Sequence, residues 1–215
     1  MTGEMREIGI TRTQIMNTRS LVIVLIAVGA VTGGTLWIHR GDPPLGSVRY
    51  TSHGISFDYT VEMSLMESDL AGFSSATDSE GTVQISYQGA DRLEKYGVMW
   101  IKPQSMPSNM ARTPEAALDF LFEIVGLAGT RITDRSEYNT TTTDGHEVSY
   151  QTFGVPESDY TIPGIIGAWH CEETGRFLLQ YLIYVEDFEN LEVPYQGMEQ
   201  MWRDHLDGIT CHGIE

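Results

Sequence analysis

An uncharged apolar run of eighteen residues, Leu21–Ile38 (LVIVLIAVGAVTGGTLWI), separates a short polar tail from a long acidic segment. As an α-helix this run would reach about 27 Å, close to the ~30 Å hydrocarbon core of a bilayer. It therefore predicts a transmembrane helix that serves as a signal anchor. The predicted organisation is a cytoplasmic tail (1–20), the transmembrane helix (21–38), a Pro/Gly linker (39–46) and an exported domain (47–215).

The basic residues around this helix predict its orientation. Arg6, Arg12 and Arg19 precede it, and positively charged flanks stay on the cytoplasmic side of a membrane. We therefore expect a single-pass cell-membrane protein with a cytoplasmic N-terminus and an extracytoplasmic C-terminal domain. The alternative is a cleaved signal peptide, with Val28 and Ala30 at the −3 and −1 positions of the cleavage site.

Gly29 and Gly33 form a GxxxG pattern inside the predicted transmembrane helix. Glycines four residues apart leave a flat stripe on which a second helix can pack closely. The pattern indicates a homo-oligomer or a protein partner bound through this helix.

The net charge of the predicted exported domain restricts the classes of partner that it can bind. The whole chain has 30 acidic and 13 basic residues. Residues 1–40 contain two Glu and four Arg, which leaves 28 acidic and 9 basic residues beyond them, a net charge of −19. Neutralising phosphates requires clustered Arg and Lys, so this composition argues against nucleic acid as a partner.

Cys171 and Cys211 are the two cysteines of the chain. In an exported domain an even pair predicts a disulfide, here closing a loop of about 40 residues. The pairs His170-Cys171 and Cys211-His212 offer a Cys₂His₂ zinc site as the alternative. Neighbouring residues on a strand point to opposite faces, so His170 and Cys171 do not readily share one ion, which favours the disulfide.

Periodicity indicates an α+β domain. The segment FLLQYLIYV at 177–185 is apolar on both alternating faces, so it predicts a central strand covered on both sides. Thr113-Pro114-Glu115 starts a helix with an apolar stripe, and a second helix is predicted over 196–207. Strands at 131–138 and 146–153 are expected to flank a polar loop, NTTTTDG, in which Asn139 is a glycosylation candidate.

The segments GISFDYT, TPEAALDFLFEIV and FLLQYLIY, followed by a closing helix, resemble the PsbP-like family. That family includes the extrinsic lumenal protein of photosystem II and membrane-anchored prokaryotic relatives. The resemblance implies an antiparallel sheet flanked by helices (an α/β/α sandwich), and a binding or assembly module without catalysis. It transfers no site residues and no cofactor.

No catalytic motif is present in the sequence: HExxH, GxSxG, a P-loop, GxGxxG and CxxC are all missing. We therefore predict no catalytic, cofactor-binding or metal-binding residues and no cofactor. The expected function is that of a non-catalytic binding or assembly module of an envelope complex. The alternatives are an exported hydrolase or metal-dependent enzyme, and a Ca²⁺ or small-ligand receptor that uses Asp187, Glu189 and Glu192.

Overall fold

Nine β-strands, two α-helices and one 3-10 helix form the part of the chain that the structure describes. The structure is a computed structural model, and it describes residues 46–70, 72, 74–89, 92–127, 131–156, 161–186 and 195–212. The predicted transmembrane helix with Gly29 and Gly33 lies outside these ranges, as does the acidic loop with Asp187, Glu189 and Glu192. Of the two α-helices described, neither is long and apolar enough to cross a bilayer.

Among the elements described, five strands precede the first α-helix, and four strands separate it from the second. They are β1 (Ser47–Ser52), β2 (Ile55–Thr60), β3 (Ser64–Ser68), β4 (Glu80–Gln88), β5 (Arg92–Ile101), a 3-10 helix (Pro103–Ser105), α1 (Pro114–Leu127), β6 (Asn139–Thr143), β7 (His146–Pro156), β8 (Thr161–Cys171), β9 (Arg176–Glu186) and α2 (Tyr195–Asp207).

Seven strands form one antiparallel sheet in the order β3-β4-β5-β9-β8-β7-β6, and β1 and β2 form a separate hairpin. Strand β9 lies at the centre of the sheet, as its apolar sequence predicts. Leu178 and Leu182 point to one face, Leu179 and Ile183 point to the other, and all four are at most 4% exposed. A strand that is apolar on both faces requires cover on both.

Each face of the sheet has its own cover. The β1–β2 hairpin and α2 cover one side, called here the α2 face, where Phe57 and Trp202 pack with Leu182. Helix α1 covers the opposite side, called here the α1 face, where Leu118 packs with Leu179. An α+β sandwich built on an antiparallel sheet is therefore confirmed for the described residues.

The two helices begin and pack as their sequences predict. In α1 the Thr113 hydroxyl accepts a hydrogen bond from the amide of Ala116 at 3.3 Å, an N-cap, and Leu118 is fully buried. In α2 the stripe of Met198, Trp202 and Leu206 is at most 1% exposed. This apolar stripe holds α2 against the sheet.

The β1–β2 hairpin turns at His53 and Gly54, whose φ angles are +52° and +67°. Two left-handed residues make the two-residue turn that matches the twist of a hairpin. Beyond α2, Thr210 forms an isolated antiparallel bridge with Ser56 of β2, with both backbone hydrogen bonds at 2.8 Å. The hairpin therefore fixes the position of the segment that follows α2.

The sixth strand differs from the sequence prediction. Residues 131–138 were expected as a strand and NTTTTDG as a loop, but β6 occupies Asn139–Thr143 and pairs with β7. The reason is the Asp144-Gly145 turn, in which both φ angles are positive, +45° and +81°. This two-residue turn connects β6 to β7 directly, so the threonines belong to a strand.

Candidate functional site

Four metal-ligating side chains converge where β7 begins and β8 ends. His146, Cys171, Cys211 and His212 each offer one ligand atom, and these atoms all lie within 4.8 Å of one another. The Cys211 Sγ is 3.7 Å from His146 Nε2 and 3.7 Å from His212 Nδ1. Both cysteines are buried, and both histidines are partly exposed. We call these four residues the Cys/His cluster.

Strand register explains how residues distant in sequence meet here. The pairing of β7 with β8 ends with Ser149 opposite Ala168, and the same register continued by three residues on each strand would place His146 opposite Cys171. Alternation along the two strands points both side chains to the α2 face. The bridge of Thr210 with Ser56 then brings Cys211 and His212 over the same end of the sheet.

The structure brings the two cysteines together, as predicted, but does not join them. Cys171 and Cys211 lie 2.9 Å apart as free thiols, so the expected disulfide is not present. The Cys171 thiol donates a hydrogen bond to the carbonyl oxygen of Cys211 at 3.4 Å. Burial raises the pKa of the Cys211 thiol to about 12, and the hydrogen bond with Cys171 adds to this effect. A protonated, buried thiol is a poor nucleophile, which argues against thiol catalysis.

An acidic side chain lies behind one of the histidines. The Asp144 carboxylate, in the β6–β7 turn, is 3.2 Å from Nε2 of His212, whose other ring nitrogen faces Cys211. Metal-binding histidines commonly have a carboxylate beside their second ring nitrogen. The cluster therefore has the donor set and the supporting carboxylate that a metal site requires.

Of the two histidines named in the zinc alternative, His212 is part of the cluster and His170 is not. His170 points to the α1 face, where its ring lies 5.0 Å from that of Phe177. The opposite-face argument against His170 is correct, but no pattern in the sequence pointed to His146 instead. The one indication in the sequence was that His146 begins one predicted strand and Cys171 ends the next, so that the two residues would meet if these strands paired.

A second polar cluster lies at the tip of the β1–β2 hairpin. His53 Nδ1 is 3.0 Å from an Asp78 carboxylate oxygen, and its Nε2 is 3.1 Å from Glu67. Its ring stacks on Trp100 at 5.1 Å between centroids, and Arg176 donates to the carbonyl of Asp78 at 3.4 Å. Burial alone would lower the pKa of His53, but the hydrogen bonds and charges of Asp78 and Glu67 outweigh it and raise that pKa.

This shift predicts a pH-dependent contribution to stability. Because the folded-state pKa of His53 is raised, its contribution is complete below the unfolded-state value near ~6.5 and is lost as pH rises through the folded-state value. At pH ~6 we expect the melting temperature of the wild-type chain to exceed that of the His53→Asn variant by at most a few degrees. This difference in melting temperature should shrink as the pH rises towards ~8. Asn tolerates the left-handed φ of position 53. Melting curves across this pH range test the prediction, and a gap that stays constant or widens would contradict it.

A cleft of about 200 Å³ lies on the α1 face. Ligand pockets usually span ~300–1,000 Å³. Its described lining includes two carboxylates and no histidine. The lining residues are Asp69, Leu70, Glu80, Ile101, Ser105, Phe120 and Ile124.

The predicted glycosylation residue, Asn139, is exposed at the first position of β6. Its side-chain amide donates a hydrogen bond to the Glu137 carbonyl at 3.2 Å. Its modification stays a prediction.

Comparison with known proteins identifies the fold. The chain is similar to the solution structure of cyanobacterial PsbP (CyanoP) from Synechocystis sp. PCC 6803, with a TM-score of 0.52 over 84% of this chain and 99% of that one, at 14% sequence identity. The chain therefore has a PsbP-like fold, as the sequence resemblance implied. No protein-family profile and no curated protein sequence matches it.

Proposed function

We propose that the chain is a non-catalytic binding or assembly module of an envelope complex. In this proposal residues 21–38 anchor it in the cell membrane, with the N-terminus in the cytoplasm and residues 47–215 outside. The observation that carries the binding role is the exposed apolar edge strand β3. The PsbP-like fold supports the same class of function, since it suggests a binding or assembly module.

Strand β3 is an edge of the seven-stranded sheet and, within the described ranges, pairs only with β4. Leu65 is 37% exposed and Met66 is 46% exposed, and nearby Val61 is 53% exposed. An edge strand has unpaired backbone groups on its outer side, and an apolar one is suited to accept a partner strand. Glu67, the charged residue of β3, accepts a hydrogen bond from the Tyr50 hydroxyl at 2.6 Å, so Leu65 and Met66 form the exposed apolar part of this edge.

Acidic residues surround this edge. Glu62 lies beside Val61, and Glu67 lies beside Met66 in sequence. The segment beyond residue 40 has a net charge of −19, as counted above. The expected partner is therefore a protein surface with an extended apolar strip flanked by Lys and Arg, because complementary charge accelerates and orients association.

Lysine substitutions at the two edges of the same sheet test this proposal. Leu65→Lys with Met66→Lys places charge on β3, whereas Thr140→Lys with Thr142→Lys places equal charge on the exposed β6 edge and serves as the matched control. Exposed substitutions of this kind change stability by roughly ±0.5 kcal/mol or less. We expect the β3 variant to lose its place in the complex and the β6 variant to keep it.

The measurement is native gel migration of the full chain after solubilisation of its own membranes in mild detergent. A shift of the β3 variant alone from the large species to the free chain supports the proposal. A wild-type chain that migrates only as the free species, or two variants that behave alike, would contradict it.

A further inference from the structure

We propose that His146, Cys171, Cys211 and His212 form a tetrahedral binding site for one Zn²⁺ ion. All four donor atoms lie within 4.8 Å of one another on the α2 face. Two thiolates and two imidazoles are a donor set typical of structural zinc. This inference goes beyond the proposed binding role and does not depend on it.

The distances fit such an ion. Zinc bonds of ~2.3 Å to sulfur and ~2.0–2.1 Å to nitrogen at tetrahedral angles place sulfur and nitrogen about 3.6 Å apart. The two measured separations from Cys211 Sγ, to His146 Nε2 and to His212 Nδ1, are both 3.7 Å. The cysteines, 2.9 Å apart, have to move to the ~3.8 Å that two sulfurs on one zinc require. A side-chain rotation can supply this small movement.

Charge also fits, because the site is neutral once the ion is bound. Each thiol loses one proton to solvent, and the two resulting thiolates balance the 2+ charge of the ion. Cys171 and Cys211 are 0% and 2% exposed, and a neutral cluster avoids the large cost of burying a net charge. No change of oxidation state is involved.

Asp144 orients one of the four ligands, His212, and the two histidines leave the site open to solvent on one side. The Asp144 carboxylate lies 3.2 Å from Nε2 of His212, on the side of the ring away from Cys211, where it would favour the tautomer whose Nδ1 lone pair faces the site. His146 and His212 are partly exposed, so the ion can reach the buried thiols from the histidine side.

A bound ion would join three segments that are separate in sequence. They are the start of β7, the end of β8 and the segment after α2, where Thr210 also bridges to Ser56. A disulfide between the cysteines would join only the last two. Zinc therefore holds α2 and the terminal segment on the sheet more completely than the disulfide could.

Cobalt titration of the full chain, reduced and freed of metal, tests the site. Tetrahedral Co²⁺ with thiolate ligands has an intense sulfur-to-metal charge-transfer absorption, and Zn²⁺ should abolish it by displacement. We expect one equivalent of Co²⁺ to bind with this absorption and Zn²⁺ to raise the melting temperature. Absence of the absorption in the reduced protein, including material isolated with a Cys171–Cys211 disulfide and then reduced, would overturn the proposal.

Histidine variants locate the ion. His146→Asn and His212→Asn should each weaken Co²⁺ binding by more than the ~10–100-fold expected for loss of a supporting residue. His170→Asn is the matched control, since His170 precedes Cys171 on the same strand but faces the other side. Its affinity should equal that of the wild type. An unchanged affinity in His146→Asn, or an equal loss in His170→Asn, would overturn the assignment.

Asp144→Asn tests the role of the carboxylate in a variant that keeps all four ligands. Asn adopts the left-handed φ of +45° at this turn position, so the hairpin should be retained. The substitution removes the carboxylate behind His212. We expect about 10-fold weaker Co²⁺ binding with an unchanged melting temperature in the absence of metal. Wild-type affinity in this variant would remove Asp144 from the site.

Discussion

Replacing Trp202 by alanine is expected to destabilise the protein by about 3–5 kcal/mol, within the usual cost of deleting a buried aromatic side chain. Trp202 is fully buried on α2, its ring lies 5.1 Å from that of Tyr150, and its Nε1–H donates to the carbonyl of Gln180 at 3.2 Å. For a domain of this size the loss corresponds to a fall in melting temperature of roughly 6–20 °C. Urea and thermal unfolding of the full chain measure it.

Gln200→Ala is the matched control, an exposed position two residues earlier on the same helix. It should change stability by less than about 0.5 kcal/mol. Equal effects of the two substitutions would contradict the packing described for α2.

Gly167 provides an independent check on the same contact. A Cβ at Gly167 would lie 2.5 Å from Cζ2 of Trp202, so Gly167→Ala should cost about 1–3 kcal/mol through overpacking. In the Trp202→Ala background that clash is removed. The double variant is therefore expected to lose less stability than the sum of the two single variants.

Replacing Gln180 by methionine is expected to stabilise the protein by about 1–3 kcal/mol. Gln180 is 0% exposed in the central strand β9, and neither polar atom of its side chain has a hydrogen-bond partner among the described residues. A buried amide without partners loses its hydration and gains nothing in return. Methionine has nearly the same shape and no such cost, so the melting temperature should rise by several degrees.

Gln84→Met is the matched control on the same sheet. Gln84 is also buried, but its Oε1 accepts a hydrogen bond from the hydroxyl of Tyr181 at 3.1 Å. Its replacement leaves that buried hydroxyl unpaired and should destabilise by about 1–3 kcal/mol. Opposite signs for the two variants are the expected result. A loss of stability in Gln180→Met would show that the Gln180 amide is satisfied in the folded protein.

Elements with a strong period were predictable from the sequence, whereas those set by tertiary contacts were not. The alternation in β9 and the apolar stripes of α1 and α2 are local patterns, and all three elements were found where expected. The first half of β8 contains Pro163 and Gly164, two residues that are typical of loops. Gly164 is needed there because a Cβ would lie 2.3 Å from the ring of Phe153. The close packing of the Phe153 ring against β8 therefore requires a glycine, a residue that is more typical of loops than of strands.

The candidate site was predictable only in part. Pairing of Cys171 with Cys211 followed from their number and the expected compartment, and the structure places them side by side. The contribution of His146 depends on the register of β7 against β8, and that of His212 depends on the bridge between Thr210 and Ser56. Neither the register nor the bridge has a local sequence signal, so the four ligands could not be assembled from spacing alone.

The central position of β9 has a consequence for synthesis of the chain. It is the last of the described strands in chain order, yet it alone connects β3, β4 and β5 to β8, β7 and β6 within the described sheet. Sheets that depend on such distant pairings form slowly, because the chain between the paired strands loses conformational entropy before the stabilising contacts form. We therefore expect the two groups of strands to remain unjoined until β9 leaves the ribosome.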